Sequence, residues 1–99
     1  MRIEVVAVTD CPHRSAAVAR VYEALQITGR ADVVVIEREV GDAAAALAMG
    51  MRGSPTILVD GRDPFAHDGG EPSVSCRLYR SADGVAGAPS VAELVEVLR

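Results

Sequence analysis

The sequence predicts one small α/β domain with the element order β-α-β-α-β-β-α, in which helices cover both faces of a four-stranded mixed sheet. Its 99 residues suffice for a single domain, and 49% of them are hydrophobic, enough for a small aliphatic core. Apolar β-branched runs alternate with helical segments through the first half of the chain. The second half contains two strands that can form a hairpin and a capped helix at its end.

The first 36 residues predict a strand, a helix and a second strand. Arg2–Val8 is short, β-branched and followed by polar residues, which favours a buried strand. Pro12 suits the first position of a helix, and Gly29 suits its end. An apolar stripe between them recurs at helical spacing and consists of Val18, Val21, Tyr22 and Leu25. Asp32–Ile36 is nearly all apolar, so we expect a strand covered on both faces and parallel to the first.

The middle of the chain predicts a short helix and a third strand. Asp42 can cap a helix over Ala43–Met49, which Gly50 ends. Thr56–Val59 favours a strand, and Asp60–Gly61 is a typical turn pair that closes it. A polar loop follows over residues 62–73 and is long for so small a domain.

The last third predicts a fourth strand and a final helix. Residues 74–80 alternate with a period of two, with Val74, Cys76 and Leu78 on one face and Ser75, Arg77 and Tyr79 on the other. We expect this strand to pair with the third as an antiparallel hairpin. After a Gly/Ala loop over residues 81–89, Ser90 and Glu93 form a capping box for a helix whose apolar residues are Leu94, Val95, Val97 and Leu98.

Composition and charge narrow the function. The net charge is −4 and every basic residue is arginine without clustering, which argues against nucleic acid as a partner. The apolar runs are far shorter than the roughly 20 residues that span a bilayer, so no membrane association is predicted. The N-terminus is typical of a strand and not of a signal peptide, which favours a cytoplasmic protein. Two cysteines make no disulfide scaffold, and both are expected to rest as thiols.

Two motifs resemble the thioredoxin superfamily. Gly53-Ser54-Pro55-Thr56, which leads into the third strand, is similar to the segment that carries a cis-proline in that family. Cys11-Pro12-His13-Arg14, between the first strand and the first helix, stands at the place of the Cys-x-x-Cys motif. Together with the element order, these motifs imply a thioredoxin-like fold of glutaredoxin size. Arg14 replaces the second cysteine, so the resemblance is to monothiol members.

A narrower likeness concerns small thioredoxin-like proteins that are sometimes labelled as related to organomercurial (alkylmercury) lyases. The residues that carry it are Gly53-Ser54-Pro55-Thr56, Val59-Asp60-Gly61, Asp63-Pro64-Phe65 and Ser75-Cys76-Arg77-Leu78-Tyr79. This likeness implies the fold more strongly than it implies a function.

The resemblance implies a site around Cys11. Cys11 would be the nucleophile at the N-cap of the first helix, flanked by Pro12, His13 and Arg14, with Pro55 in the cis form beside it. Unpaired N–H groups of the helix and nearby positive charge lower a thiol pKa from about 8.5 to roughly 3.5–7.5, whereas Asp10 would act against this. Ser54 and Thr56, on either side of Pro55, would bind substrate, Ser54 through its backbone. No metal site and no cofactor are predicted, because two nearby ligands are too few for a metal.

Cys76 has two interpretations. A buried, aliphatic-like cysteine is the more common one, and a second functional thiol is the other. If Asp60 lies opposite Val74 in the expected hairpin, Cys76 falls opposite Leu58. The Cα atoms of Cys11 and Cys76 are then on the order of 10 Å apart or more, beyond the roughly 7 Å that a disulfide allows. A slip in the strand pairing toward Thr56 would make a second thiol plausible.

Three functions fit these residues. The first is thiol–disulfide exchange through a mixed disulfide on Cys11, with a protein or a small-molecule thiol or disulfide as partner. The second is handling of a soft metal such as mercury by the thiolates of Cys11 and Cys76. The third is a non-catalytic thioredoxin fold that binds a partner through the surface around Cys11 and Pro55. If the protein is an enzyme, we expect it to be a monothiol oxidoreductase. The substitution Cys11→Ser distinguishes the two hypotheses, because a binding module keeps its function without this thiol.

Overall fold

The computed structural model describes residues 1–65, 73–81 and 84–99. Its elements are β1 (Arg2–Val8), α1 (Arg14–Thr28), β2 (Val34–Val40), α2 (Ala43–Ala48), β3 (Arg52–Ser54), β4 (Thr56–Val59), β5 (Ser73–Cys76), β6 (Tyr79–Ser81), β7 (Gly84–Ala86) and α3 (Val91–Leu98). The chain is a small α/β domain, as predicted. In the described part, none of the helices has the length and apolar character needed to cross a bilayer.

The main sheet has three strands in the order β2-β1-β4, so the predicted four-stranded mixed sheet is not confirmed among the described residues. β1 runs parallel to β2, with Arg2 opposite Val34, which confirms the predicted parallel pairing of the first two strands. β4 lies antiparallel on the other side of β1, with Val6 opposite Thr56. β1 is therefore the central strand, and it is buried over most of its length because it carries apolar side chains on both faces.

Each face of β1 has its own apolar cluster. The larger cluster joins β1 and β4 to α1 and α3, and its buried residues are Ile3, Val5, Ala17, Val21, Ala24, Leu25, Ile57, Ala88, Leu94, Val95 and Leu98. The smaller one lies on the α2 side and consists of Val6, Val40, Ala46, Met51 and Leu58. Helices thus pack on both faces of the sheet, which confirms the layered arrangement that the sequence predicts.

α1 begins later than predicted and ends where predicted. Arg14 is its first residue and His13 its N-cap, so Pro12 lies before the helix. Gly29 ends it in the left-handed conformation, with φ +69°, which glycine adopts without steric cost. The buried face is Ala17, Val21, Ala24 and Leu25, whereas Tyr22, expected in the apolar stripe, is exposed.

β2 also differs from its prediction. It covers Val34–Val40 instead of Asp32–Ile36, and it continues through the charged residues 37–39. β2 is an outer strand of the sheet, so its side chains reach solvent and Val34 is largely exposed. The expectation of burial on both faces was wrong, because apolar composition alone does not separate a central strand from an outer one.

Three local predictions in the rest of the chain are confirmed. The Asp42 carboxylate accepts a hydrogen bond from the N–H of Ala45 at 2.7 Å and caps α2. Asp60 and Gly61 both have positive φ in a tight turn that Val59 and Arg62 close with two hydrogen bonds. Ser90 and Glu93 form the capping box of α3.

The predicted hairpin of the third and fourth strands was wrong. β4 pairs with β1, and β5 instead runs parallel to β3, with Arg52 opposite Ser73 and Ser54 opposite Cys76. The predicted strand over residues 74–80 is interrupted at 77–78, where β5 ends and β6 has not begun. β6 pairs antiparallel with β7, which lies in the segment predicted to be a loop. Residues 66–72 of the predicted polar loop lie outside the described residues.

The alternation predicted for the fourth strand is also reversed at its end. Arg77 and Tyr79, expected to face outward, are buried, and Leu78, expected inside, is 66% exposed. The reversal has a specific cause, because the Arg77 guanidinium pairs with the buried Asp63 carboxylate. A period-two pattern assumes that charged residues face solvent, and a buried ion pair breaks that assumption.

Candidate functional site

Cys11 lies between two consecutive turns that join β1 to α1. The N–H of Cys11 donates to the carbonyl of Val8 at 3.1 Å, and the turn passes through Asp10 at φ +59°. The carbonyl of Cys11 then accepts from the N–H of Arg14 at 3.4 Å. The N-cap of α1 is therefore His13, whose side chain makes no capping bond within the described part of the chain, and the expectation that Cys11 is the N-cap was wrong. Cys11 is half-buried and Pro12 is exposed.

Ser54, Pro55 and Thr56 are completely buried beside the end of β1. The Ser54–Pro55 peptide bond is cis. The Ser54 hydroxyl accepts a hydrogen bond from the N–H of Val8 at 3.0 Å, which ties β3 to the strand that carries Cys11. The Thr56 hydroxyl donates to the carbonyl of Gly53 at 2.6 Å and accepts from the N–H of Arg52 at 3.1 Å. Both hydroxyls are therefore committed to the fold and are shielded from solvent.

Tyr79 is buried beside Pro55 and Phe65. Its hydroxyl donates to the carbonyl of Pro55 at 2.5 Å, and its ring meets that of Phe65 edge-on with centroids 5.5 Å apart. Burial raises the pKa of the Tyr79 hydroxyl far above its usual range; the positive charge of Arg77 opposes this, while negative charge on Asp63 and on a Cys11 thiolate adds to it.

Arg77 holds this region together. Its guanidinium donates to the Asp63 carboxylate at 2.5 Å and to the carbonyl of Phe65 at 2.7 Å. The side chains of Arg77 and Asp63 are only 8% and 7% exposed. The guanidinium carbon also lies 4.6 Å from the centroid of the Tyr79 ring, a cation–π distance. We call the group Asp63, Phe65, Arg77 and Tyr79 the arginine clamp.

His13 packs against Gly87, in the segment between β7 and α3. A Cβ built on Gly87 would lie 2.4 Å from Cγ of the His13 ring, so glycine is needed for this close approach. The segment after Gly87 is attached to α1 by Arg20, whose guanidinium donates to the carbonyls of Ala88 and Pro89 at 3.1 and 3.3 Å. The imidazole two residues from Cys11 thus has a fixed neighbour.

Arg14, the first residue of α1, reaches toward β2. Its guanidinium lies 3.6 Å from the Glu37 carboxylate and 3.5 Å from that of Glu39, and the side chain is partly exposed. The sequence predicts that this positive charge lies near the Cys11 thiol. In the structure, the Arg14 guanidinium forms ion pairs with Glu37 and Glu39.

The position of Cys76 differs from its prediction. Ser54 is its Cα partner across β3 and β5, instead of Leu58 in a hairpin, so its backbone lies next to the residue that precedes Pro55. The estimate of 10 Å or more from Cys11 depended on the hairpin and no longer applies. The Cys76 side chain lies outside the described part of the structure. Cys11 forms no disulfide among the described residues.

A cleft lies at the ends of β1 and β2, next to the turn that leads to Cys11. It has a volume of about 300 Å³ and is lined by Val8, Thr9, Val40, Gly41 and Asp42. Two of these residues belong to the turn that leads to Cys11. Among the described residues, no group of three or more His, Cys, Asp or Glu is placed to hold a metal ion.

The structure therefore links the turn that holds Cys11 to the buried segment Ser54–Thr56 through Val8, packs His13 against Gly87, and turns the Arg14 side chain toward β2. Sequence analysis missed three residues of this region: Tyr79, Arg77 and Gly87. Arg77 and Tyr79 belong to the motif over residues 75–79, but the period-two alternation predicts that their side chains face solvent. Comparison with known protein families, characterised proteins and solved structures finds no match to this chain.

Proposed function

We propose that the protein is a monothiol, thioredoxin-like thiol protein that carries out thiol–disulfide exchange through Cys11. The observation that carries this proposal is the position of Cys11, a half-buried thiol in the turn after the central strand, which Val8 ties to the buried Ser54–Pro55 segment through the Ser54 hydroxyl. The order of the first three strands and two helices supports the thioredoxin-like assignment. The two motifs support it as well, since Cys11 follows β1 and Pro55 lies between β3 and β4.

The reaction needs only the thiolate of Cys11 and a second thiol. The thiolate attacks one sulfur of a substrate disulfide, the S–S bond breaks, and the other sulfur leaves as a thiolate. Cys11 is then part of a mixed disulfide. A second thiolate, from a small-molecule thiol or from Cys76, attacks that disulfide, releases one sulfur and forms a new disulfide that carries the oxidation.

Tyr79 positions the site and does not exchange protons with it. Its hydroxyl is committed to the Pro55 carbonyl, and burial keeps it protonated.

Cysteine variants test the proposal. Mass spectrometry after treatment with a small disulfide should show one mixed disulfide on the wild type and on Cys76→Ser. The variant Cys11→Ser should carry none at position 11. Arg14→Cys restores a Cys-x-x-Cys motif and should speed turnover, because the second thiol is then internal. A Cys11→Ser protein with full biological function would favour the binding module instead.

Handling of a soft metal by Cys11 and Cys76 is the second candidate. The parallel pairing of β5 with β3 favours it, since this pairing brings the Cys76 backbone beside Ser54, at the end of the sheet where Cys11 lies. Thiolates are the ligands that soft metals prefer. Titration with Cd²⁺ should then show one ion bound per wild-type chain and none in either single Ser variant. Unchanged binding by Cys76→Ser would contradict this function.

A further inference from the structure

We propose that the substrate of Cys11 is a small-molecule disulfide and not a disulfide carried by an extended polypeptide, because β5 already covers the backbone edge beside Pro55. This inference rests on the proposed function and names its substrate class. It follows from which backbone groups are accessible next to the thiol.

An extended polypeptide binds beside a site mainly by adding a strand to an open sheet edge. It needs backbone N–H and C=O groups that are both unpaired and exposed. The strand nearest to the thiol on this side is β3, because the Ser54 hydroxyl bonds to Val8 and Val8 closes the turn to Cys11. β3 is therefore the edge that a polypeptide would have to use on the Pro55 side of the thiol, since the other edge of the main sheet, β2, carries the charged residues 37–39, which oppose strand addition.

That edge is occupied by the chain itself. β5 pairs with β3 in parallel, and the N–H of Arg77 donates to the carbonyl of Ser54 at 3.0 Å. On the inner side, the Thr56 hydroxyl bonds to the N–H of Arg52 and to the carbonyl of Gly53. Ser54 has no exposed surface. A polypeptide can pair with β3 only after β5 has left.

The arginine clamp opposes that departure. Arg77 follows β5 directly, and its guanidinium is held by Asp63 and by the carbonyl of Phe65. Tyr79, two residues further on, is bonded to the carbonyl of Pro55. Displacing β5 would pull Arg77 out of a buried ion pair, and an unpaired buried charge is strongly unfavourable.

The accessible side of Cys11 suits a small molecule. Thr9, Asp10 and Pro12 are exposed around the half-buried thiol. The neighbouring cleft of about 300 Å³, which Val8, Thr9, Val40, Gly41 and Asp42 line, is at the lower end of the range for small-molecule sites. The organic part of a small disulfide can occupy this cleft, since Val8 and Thr9 of the turn that leads to Cys11 line it.

Two matched probes test the inference on the full-length chain with Cys76→Ser, which leaves one reactive thiol. The first probe is 2-hydroxyethyl disulfide. The second is an unstructured peptide whose single cysteine is joined to 2-mercaptoethanol, so that both probes can release the same thiol. The rate constant of each is divided by its rate constant with free N-acetylcysteine. If β5 is open in at most about one molecule in ten, the peptide should react about tenfold more slowly than the small probe.

Asp63→Asn provides a second arm. Loosening the clamp should raise the peptide rate relative to the small probe, whereas Glu96→Gln, in the exposed pair with Arg99, should leave the ratio unchanged. If Asp63→Asn does not fold, hydrogen exchange of the wild-type Arg77 amide takes its place, and a slowly exchanging amide supports the covered edge. The inference is overturned if the peptide reacts with the Cys76→Ser chain as fast as the small probe or faster, or if the Arg77 amide of the wild type exchanges rapidly. Either result leaves the proposed function standing. Two probes that react no faster than with N-acetylcysteine would remove both.

Discussion

Breaking the arginine clamp should destabilise the whole domain. The substitution Asp63→Asn keeps the size of the side chain and one of its oxygens but removes the charge that Arg77 faces. The two side chains are 8% and 7% exposed, so solvent cannot replace the lost carboxylate. Arg77 would then remain as an unpaired charge in the interior, the situation that costs most in a broken ion pair.

The size of the effect follows from what Arg77 keeps. Removing one partner of a buried pair costs about 3–5 kcal/mol. Because the guanidinium retains its bond to the Phe65 carbonyl and its contact with the Tyr79 ring, we expect the lower end of that range, about 3 kcal/mol. Domains of this size are stable by about 5–15 kcal/mol, so the variant should fold but with a large share of its stability lost.

Urea unfolding followed by circular dichroism measures this loss. With an m-value of about 1.5 kcal/mol/M, the midpoint should fall by about 2 M. Glu96→Gln is the matched control, because its pair with Arg99 is 71% and 68% exposed and should contribute less than about 0.5 kcal/mol. A midpoint for Asp63→Asn within the error of the control would refute the view that Arg77 is held by a buried charge.

Two further predictions concern the neighbours of Cys11. In Tyr22→Phe, where Tyr79 is the single tyrosine, tyrosinate absorbance should appear only together with unfolding, because burial raises the pKa of Tyr79. In the unfolded chain the pKa of tyrosine is about 10. The stabilisation that comes from keeping Tyr79 protonated in the folded state is therefore complete below that pH and is lost as the pH rises above it. Ionisation of Tyr79 at about pH 10 in the folded protein would contradict this prediction. Gly87→Ala should cost about 1–3 kcal/mol in urea unfolding because its Cβ meets the His13 ring, and this cost should vanish in a His13→Ala background. Gly41→Ala, where no described atom lies within 4 Å of the added Cβ, should be neutral or stabilising, and an equal cost at both glycines would argue against the contact.

The parts of the fold that local signals control were predictable. Asp42 before an alanine run, Gly29 after an apolar helix and the Ser90–Glu93 pair each satisfy backbone groups a few residues away. Such signals need no knowledge of the rest of the chain. The parallel pairing of β1 and β2 followed from a helical connection between two apolar strands.

The parts that depend on distant residues were not predictable. Arg77 is buried because Asp63, 14 residues earlier, lies beside it, and no local pattern contains that information. Val34 is exposed because β2 is an outer strand, which depends on the strand order. Cys11 lies between β1 and α1 as predicted, but its exact relation to α1 depended on the left-handed turn at Asp10, which proline at position 12 does not reveal.

The charged stretch of β2 has a consequence for self-association. An outer strand presents unpaired backbone groups that can template pairing with another chain and lead to aggregation. Here residues 37–39 are Glu-Arg-Glu, and all three are exposed between the apolar residues of the same strand. Charged residues on an outer strand oppose the addition of a strand from another chain to the edge of the sheet. Replacing all three with threonine would turn Val34–Val40 into seven β-favouring residues with one open side, a segment expected to form fibrils on prolonged incubation.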